Sequence, residues 1–330
     1  MDDDAGRDGG GRPRVRIGFA CFWDSFDPRD NFFTRLLATR YEVEVCDDPD
    51  FLIFSCMHRR PADYERYDCV RIFFTGENIR PDWAAADWAF SFDHTTHPRH
   101  FRLPLWVVYH DPRLLLQTPA RDPAAILARK RRFCGFVVSN PLGHERNEFF
   151  RRLRRYRPID AGGAVFNTLG HRVADKRAFL AECTFTIAFE NESYPGYTTE
   201  KLPEAMLADS IPIYWGDPLV GRDFNTRSFL SAHDGPSWDD LIERVVAVDR
   251  DPDLQRRLLA EPWYHGNRLP ACADTAAILD RFTTIFEASI EPLWRRRGLG
   301  RRLRLHHVRP AAARLGRKLV RQCRKLRRND

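Results

Sequence analysis

Residues 185–218 read Phe185-Thr-Ile-Ala-Phe-Glu-Asn-Glu-Ser-Tyr-Pro-Gly-Tyr-Thr-Thr-Glu-Lys-Leu-Pro-Glu-Ala-Met-Leu-Ala-Asp-Ser-Ile-Pro-Ile-Tyr-Trp-Gly-Asp-Pro218, and the way this stretch divides decides the fold. Phe185 to Phe189 is a short apolar run that ends on the polar cluster Glu190-Asn191-Glu192, as a buried strand does. Ser193 to Gly196 is turn chemistry. A helix opens near Thr199, with Pro203 tolerable only in its first turn and Ala205, Met206 and Ala208 continuing it. Pro212 to Trp215 is a second apolar run, stopped by Gly216-Asp217-Pro218. Strand, loop, helix and strand make a βαβ unit, whose ligands collect where strands end and helices begin.

The polar residues at that junction differ in kind. A helix N-terminus offers free backbone N–H groups and the positive end of a dipole to an anion. Lys201 adds a cation there, Tyr197 a hydroxyl, and Glu200 an acceptor suited to ribose hydroxyls. Phosphate, sugar and ribose contacts together describe a nucleotide-sugar pocket. A capped helix whose Glu and Lys are solvated would read the same way, and spacing alone does not separate the two. Glu192 and Glu200, with seven residues between them, also resemble a spacing seen in retaining glycosyltransferases.

Outward from this unit, the 330 residues suffice for two domains with sizeable cores, and 43% hydrophobic with 30% charged residues is a globular composition. Val15 to Phe22 reads as a first strand, Trp23 to Asp30 as a loop, and Phe32 to Arg40 as a helix. Tyr41 to Cys46 and Phe51 to Ser55 are strands separated by the turn Asp47-Asp-Pro-Asp50, and Val70 to Phe74 is a strand ending at Thr75-Gly-Glu-Asn78. Alternating strands and helices imply a parallel sheet covered on both faces. Glu77 lies just past a strand's C-terminal end, where active-site loops gather, although a solvated turn glutamate fits there too. Residues 118–132 read as the crossing to a second sheet, which starts at Phe133 to Ser139 and ends on Asn140-Pro-Leu-Gly143. A helix then begins near His144, with Arg146 in its first turn and Arg151-Arg-Leu-Arg-Arg155 on its wet face. Asp249-Arg250-Asp251 resembles the metal-binding Asp-x-Asp of one glycosyltransferase fold, but Trp238, Leu241, Ile242, Val245 and Val246 recur at helical spacing. That periodicity makes the segment an amphipathic helix running into Pro252. With histidines sparse and unclustered, no metal site is expected.

Three segments of the unit at 185–218 look like the donor motif of the α1,3/4-fucosyltransferases, glycosyltransferase family 10: Phe-Glu-Asn (189–191), Tyr-Thr-Thr-Glu-Lys (197–201) and Ile-Pro-Ile-Tyr-Trp-Gly (211–216). Arg71-Ile-Phe-Phe-Thr-Gly-Glu-Asn78 resembles a family motif whose acidic residue is the proposed catalytic base, which maps onto Glu77. Phe92-Asp93 and Arg102-Leu-Pro104 continue the match, and Arg146 matches an arginine that contacts the donor diphosphate. In Gly162-Gly-Ala-Val-Phe-Asn-Thr-Leu-Gly170, Phe166 stands where bacterial relatives often carry a basic residue, so no phosphate contact is assigned to it.

The resemblance spans about residues 14–290 and implies a GT-B fold, two Rossmann-like domains facing a central cleft, with an acceptor-side domain at 13–127 and a GDP-fucose-binding domain at 128–290. It implies inverting transfer of L-fucose from GDP-β-L-fucose to the GlcNAc of a LacNAc-type glycan, with Glu77 as base and Arg146, Asn191, Tyr197, Glu200 and Lys201 on the donor. Neither metal nor cofactor is then required. An α1,4 linkage, another nucleotide-sugar donor, a nucleotide-sugar binding protein without turnover, and a basic nucleic-acid-associated protein are the alternatives.

Residues 1–12 are expected to be disordered. The net charge of +7 is local, because residues 291–330 carry net +13 and residues 1–290 net −6. In that tail Ala312, Leu315, Leu319, Cys323 and Leu326 form a narrow apolar seam flanked by Arg and Lys, the pattern of a helix on an anionic bilayer. The seam has no aromatic interleaving for base stacking after Trp294, so residues 294–329 are expected to meet a membrane surface rather than nucleic acid. Eight scattered cysteines without a Cys-x-x-Cys pair favour a reducing compartment. No apolar run approaches ~18 residues and no signal-peptide pattern opens the sequence. The expectation is a bacterial-type enzyme in the cytoplasm, peripheral to the membrane.

Overall fold

The computed structural model describes residues 11–57, 63–288 and 292, so most of the expected disordered segment at 1–12 and the basic tail lie outside the described residues. Along the chain run β1 (Arg14–Ala20), α1 (Phe32–Leu37), β2 (Glu42–Val45), β3 (Phe51–Phe54), β4 (Val70–Phe74), β5 (Trp88–Ser91), β6 (His100–Arg102), α2 (Leu105–Tyr109) and α3 (Pro123–Ala128). There follow β7 (Arg132–Phe136), α4 (His144–Leu153), β8 (Asp160–Ala161), α5 (Lys176–Ala181), β9 (Cys183–Phe189), α6 (Lys201–Leu207), β10 (Ile211–Trp215), β11 (Leu230–Ser231), α7 (Trp238–Arg250), α8 (Pro252–Ala260) and α9 (Thr275–Glu287).

The strands form two sheets, ordered β2-β1-β3-β4-β5-β6 and β11-β10-β9-β7-β8. Pairing is parallel at β2–β1, β1–β3 and β3–β4, and at every neighbouring pair of the second sheet. This is the alternating, parallel architecture expected from the apolar runs. Contacts sort the chain into two compact units, neither of them one continuous stretch. The first takes the described residues through Phe74, Pro81–Ala89 and those from Arg281 on; the second takes Thr75–Arg80 and Phe90–Asp280.

In the first unit, β3 is buried along its whole length, as a central strand covered on both faces must be. The side chain of Asn31 caps α1 by accepting from the amides of Phe33 and Thr34, while Thr34 Oγ1 accepts from the Asn31 amide, a reciprocal capping box. The helix expected to reach Arg40 stops at Leu37, and residues 38–40 form a turn. The end of α9 packs here: Phe286 against Phe51 and Tyr41, and Thr283 Oγ1 within 2.7 Å of the Tyr41 hydroxyl and 2.8 Å of the Arg40 guanidinium.

In the second unit β9 is central. Phe185, Ile187 and Phe189 pack with Ile211 and Ile213 of β10, with Phe149, Phe150 and Leu153 of α4, and with Leu241 and Val245 of α7. Each such aromatic or branched side chain contributes about 1.5–3 kcal/mol on burial. Helix α7 is the amphipathic helix that the spacing at 238–246 predicted. Both carboxylates of Asp249-Arg250-Asp251 are committed within the fold: Asp249 accepts from the Tyr156 hydroxyl and Arg157, each at 2.8 Å, and Asp251 caps α8 through the amides of Asp253 and Leu254.

From β7 the chain moves to the edge strand β8, then returns to lay β9 on the other side of β7. The strand order therefore reverses between β7 and β9, and a crevice opens beyond their carboxyl ends.

Candidate active site

A recess of about 290 Å³ occupies that crevice. The segment after β7 supplies Val137 to Asn140, the segment after β9 supplies Asn191, and the approach to α6 supplies Tyr197, Thr199, Glu200 and Lys201. Glu77, Arg146 and Lys176 complete its polar wall. The six residues singled out from the sequence, Glu77, Arg146, Asn191, Tyr197, Glu200 and Lys201, all line this one recess, although they are separated by up to 124 positions in the chain.

Its frame is built on Glu190, which is completely buried at the end of β9. The Glu190 carboxylate accepts from the Thr199 amide at 2.7 Å, the Thr199 hydroxyl at 2.6 Å and the Lys201 ammonium at 3.1 Å. Gly216 (φ +156) lies so close to this side chain that a Cβ there would come within 2.4 Å of Glu190 Cγ. Asp217 holds the other end of the loop by accepting from the Gly196 amide at 2.7 Å and the Thr198 hydroxyl at 3.2 Å. In the sequence Glu190 stands within the Phe-Glu-Asn segment and Asp217 in the turn that stops the second apolar run, but a carboxylate after an apolar run does not reveal that it holds the loop returning to it.

Near Thr199, where an anion-binding helix end was expected, one backbone donor is already used. Helix α6 begins at Lys201 and has seven residues, and the Thr199 amide is already taken by Glu190. Lys201 is likewise engaged, with Glu190 Oε2 and Glu200 Oε1 each at 3.1 Å. Burial alone would lower the Lys201 ammonium, but the two carboxylates outweigh it and hold the group charged above its ordinary range. Burial alone would raise Glu200, and Lys201 brings it below the usual carboxylate value. Lys176, which the sequence reading missed, pairs with Glu204. It opens a six-residue helix too short to show periodicity, and the sequence signal available was Asp175, which caps that helix.

Arg146 differs from the two lysines. It is completely buried, and its guanidinium donates to neutral acceptors, Asn191 Oδ1 at 2.8 Å and the Asn140 carbonyl at 2.7 Å, while Nε has no acceptor. Among the described residues its charge meets no carboxylate directly. Burial pulls its pKa down, opposed at longer range by Glu190 and Glu200.

Glu77 is partly buried in a turn closed by Thr75, whose hydroxyl donates to the Glu77 carbonyl at 2.8 Å and accepts from the Glu77 amide at 3.0 Å. Burial raises its carboxyl above the ordinary range; Lys201 opposes this, and Glu200, Glu190 and Glu192 add to it. Tyr197 is buried edge-on against Phe92, at 5.1 Å between ring centres, and burial pushes its phenol far up, so that its hydroxyl keeps its proton to donate. Phe166 (φ +53) stacks on Phe150 at 4.6 Å, with the Arg151 guanidinium 4.9 Å from its ring centre, and does not line the recess.

Two parallel α/β sheets, with a recess of cations, carboxylates and hydroxyls at the switch point of the second, define a glycosyltransferase fold of the GT-B class. Residues 17–109 match the family model for the Alpha-(1,3)-fucosyltransferase FucT N-terminal domain, and residues 127–265 that for the Glycosyltransferase family 10 (fucosyltransferase) C-terminal region. The two matches together cover well over half of the chain, which belongs to glycosyltransferase family 10. It is 30% identical over 273 residues to the Alpha-(1,3)-fucosyltransferase FucT of Helicobacter pylori, an alignment covering 71% of this chain and 57% of that protein. The chain thus spans a little over half the length of this curated relative. A crystal structure of an alpha1,3-fucosyltransferase superposes with a TM-score of 0.76 at 26% identity, over 89% of this chain and 94% of the other. One with GDP-fucose gives 0.70 at 26% identity, over 86% and 94%. Among the described residues, no helix is long and apolar enough to cross a membrane.

Proposed function

We propose that this chain transfers L-fucose from GDP-β-L-fucose to the 3-hydroxyl of GlcNAc in a LacNAc-type glycan, inverting the anomeric carbon to give an α1,3-fucoside. The observation that carries this reading is the convergence of Glu77 and the five donor residues on one recess, in a chain similar to an alpha1,3-fucosyltransferase crystallised with GDP-fucose.

In this reading the diphosphate goes to Arg146, because among the three recess cations its charge is the one without a carboxylate contact. Arginine's fork is suited to two phosphate oxygens at once. Lys201 keeps Glu190 and Glu200 in place and lends its field, Glu200 accepts from ribose, and Tyr197 and Asn191 contact the donor. The bond between fucose C1 and the β-phosphate oxygen breaks through an oxocarbenium-like state, and Arg146 stabilises the GDP that leaves. The acceptor oxygen attacks the opposite face while Glu77 takes its proton, which inverts β to α. These residues supply the charge compensation without a metal.

The basic residues at 294–329 would hold the enzyme on an anionic membrane surface, where each contributes about 1 kcal/mol. Incubation with GDP-fucose and a panel of LacNAc-type acceptors, followed by linkage analysis, tests the activity. An α1,3-fucoside formed equally in EDTA is the expected product. Binding of GDP-fucose without product on any acceptor would replace transfer by nucleotide-sugar binding alone, and an α1,4 product would correct the linkage.

A further inference from the structure

The loop that carries Glu77 and the loop that carries Asn191 and Tyr197 are tied at two places the recess does not explain. Asn78 Nδ2 donates to Glu192 Oε2 at 2.6 Å, joining residues 114 positions apart. Arg80 then lies against two rings: its guanidinium carbon stands 3.3 Å from the centre of the Tyr194 ring and 4.8 Å from that of Phe92. The same guanidinium reaches Asn78 Oδ1 at 2.9 Å and Asp93 Oδ1 at 3.2 Å. Asp93 is itself fixed by the Ser91 hydroxyl at 2.7 Å.

Phe92 passes this arrangement inward. Its ring meets Tyr194 at 5.9 Å and Tyr197 at 5.1 Å, and its carbonyl lies where a Cβ on Gly196 would sit, 2.2 Å away. Arg80 thus touches a ring that touches the recess tyrosine, and it hydrogen-bonds the residue next to Glu77. Arg80 and Tyr194 are each about one-third exposed, 34% and 36%, so these contacts add little stability in water. What they do add is a fixed register between two loops that no regular element joins.

We propose that Arg80, with Asn78 and Glu192, forms a clasp that sets Glu77 in register with the donor loop, making Arg80 a positioning residue for the transfer step. The proposal rests on the reading of Glu77 as the base. Misplacement by about 1 Å can cost on the order of 100-fold in rate, so loosening this register should act on turnover and not on nucleotide affinity.

The test compares parent, Arg80→Met, Arg80→Lys and Glu192→Ala. Arg80→Met keeps an unbranched apolar stem and loses the charge and the planar face. It is expected to lower kcat about tenfold or more while the Kd for GDP stays within about twofold, with Arg80→Lys, which keeps the pairing to Asp93, recovering part of the loss. The acid limb of its pH–rate profile should move to lower pH, because a loosened loop returns Glu77 to water and relieves the burial that chiefly raises its carboxyl, and moves it away from Glu200, Glu190 and Glu192, changes that together outweigh its moving off Lys201, whose field opposes that rise. Hydrogen exchange on residues 75–80 should quicken in Arg80→Met and in Glu192→Ala, the latter serving if the former fails to fold. Parent-like kcat, pH profile and exchange in Arg80→Met would overturn the clasp. A parent that forms no product, with exchange still quickened in both variants, would leave the clasp standing and remove the transfer reading instead.

Discussion

At the scale of single residues, Glu77 and Lys201 show how the same burial is turned to different ends. Glu77 carries a carboxyl that burial holds above its ordinary value, which makes its carboxylate a stronger base than that of a solvated glutamate. Because its pKa in the folded state is raised, the folded protein binds that proton more tightly than the unfolded chain. Its contribution to stability is therefore greatest below the unfolded pKa and declines as pH rises through the folded one. Glu77→Gln is expected to lower transfer by about 10²–10⁴-fold, to leave GDP affinity intact, and to melt no lower than the parent at pH 7. Rate assays, calorimetric titration and thermal melts check the three parts, and near-normal turnover would exclude Glu77 as base. Lys201→Ala should behave in the opposite way, leaving buried Glu190 and partly buried Glu200 without their cation at a cost of about 3–5 kcal/mol. A large fall in melting temperature together with weakened GDP binding is the expected outcome; unchanged stability would contradict the assignment of Lys201 as the ion that holds the loop. Glu77, Arg146 and Lys201 were legible in the sequence because motifs carry them. Glu190 stood in the quoted Phe-Glu-Asn segment without its role showing, because that role comes from Lys201 and Thr199 on the returning loop; Lys176 and Arg80 were not legible, since their importance comes from partners distant in sequence, Glu204 for the first and Tyr194 for the second.

At the scale of elements, β4, β9, α4, α7 and β10 lie where apolar runs and helical periodicity placed them, to within a residue or two. Several elements that escaped are short: β6, β8 and β11 have two or three residues each, and α5 has six, lengths at which neither period 2 nor period 3.6 is visible, whereas α8 and α9, with nine and thirteen residues, were long enough to read and went unread. At the anion site expected at the start of α6, tertiary structure takes one donor away, because a carboxylate from the preceding strand accepts from the Thr199 amide. Loop geometry was legible only in outline. Turn chemistry at 193–196 was evident, but not that Gly196 must adopt φ +89 with the Phe92 carbonyl in the space of a Cβ. Gly196→Ala meets both constraints at once and is expected to cost at least about 1–3 kcal/mol, through a conformation alanine rarely adopts and a backbone contact that cannot yield cheaply. Denaturant unfolding measures the stability loss, and a GDP titration should show weaker binding, since the same loop carries Tyr197. Parent-like values for both would mean that the loop relaxes without strain.

At the scale of the whole molecule, the two-sheet plan was legible because alternation of strands and helices is written along the entire chain, whereas the grouping of Thr75–Arg80 with Phe90–Asp280 depends on contacts that no local pattern encodes. Charge is the other property of the whole. Residues 1–290 are net −6 while residues 291–330 are net +13, so an anionic surface attracts one end of the chain and repels the rest. The recess residues all precede Pro218, well before the basic segment. Removing 291–330 should therefore release the protein from anionic vesicles and spare fucose transfer to a short soluble acceptor. Attraction of this kind is screened over about 8 Å at physiological ionic strength, so binding by the intact chain should fall steeply as salt is added. Sedimentation with vesicles and parallel activity assays on the intact and shortened chains make the test. Full vesicle binding by the shortened chain, or binding indifferent to salt, would refute anchoring by the basic tail. Loss of soluble activity on truncation would instead give residues 291–330 a part in holding the catalytic body together.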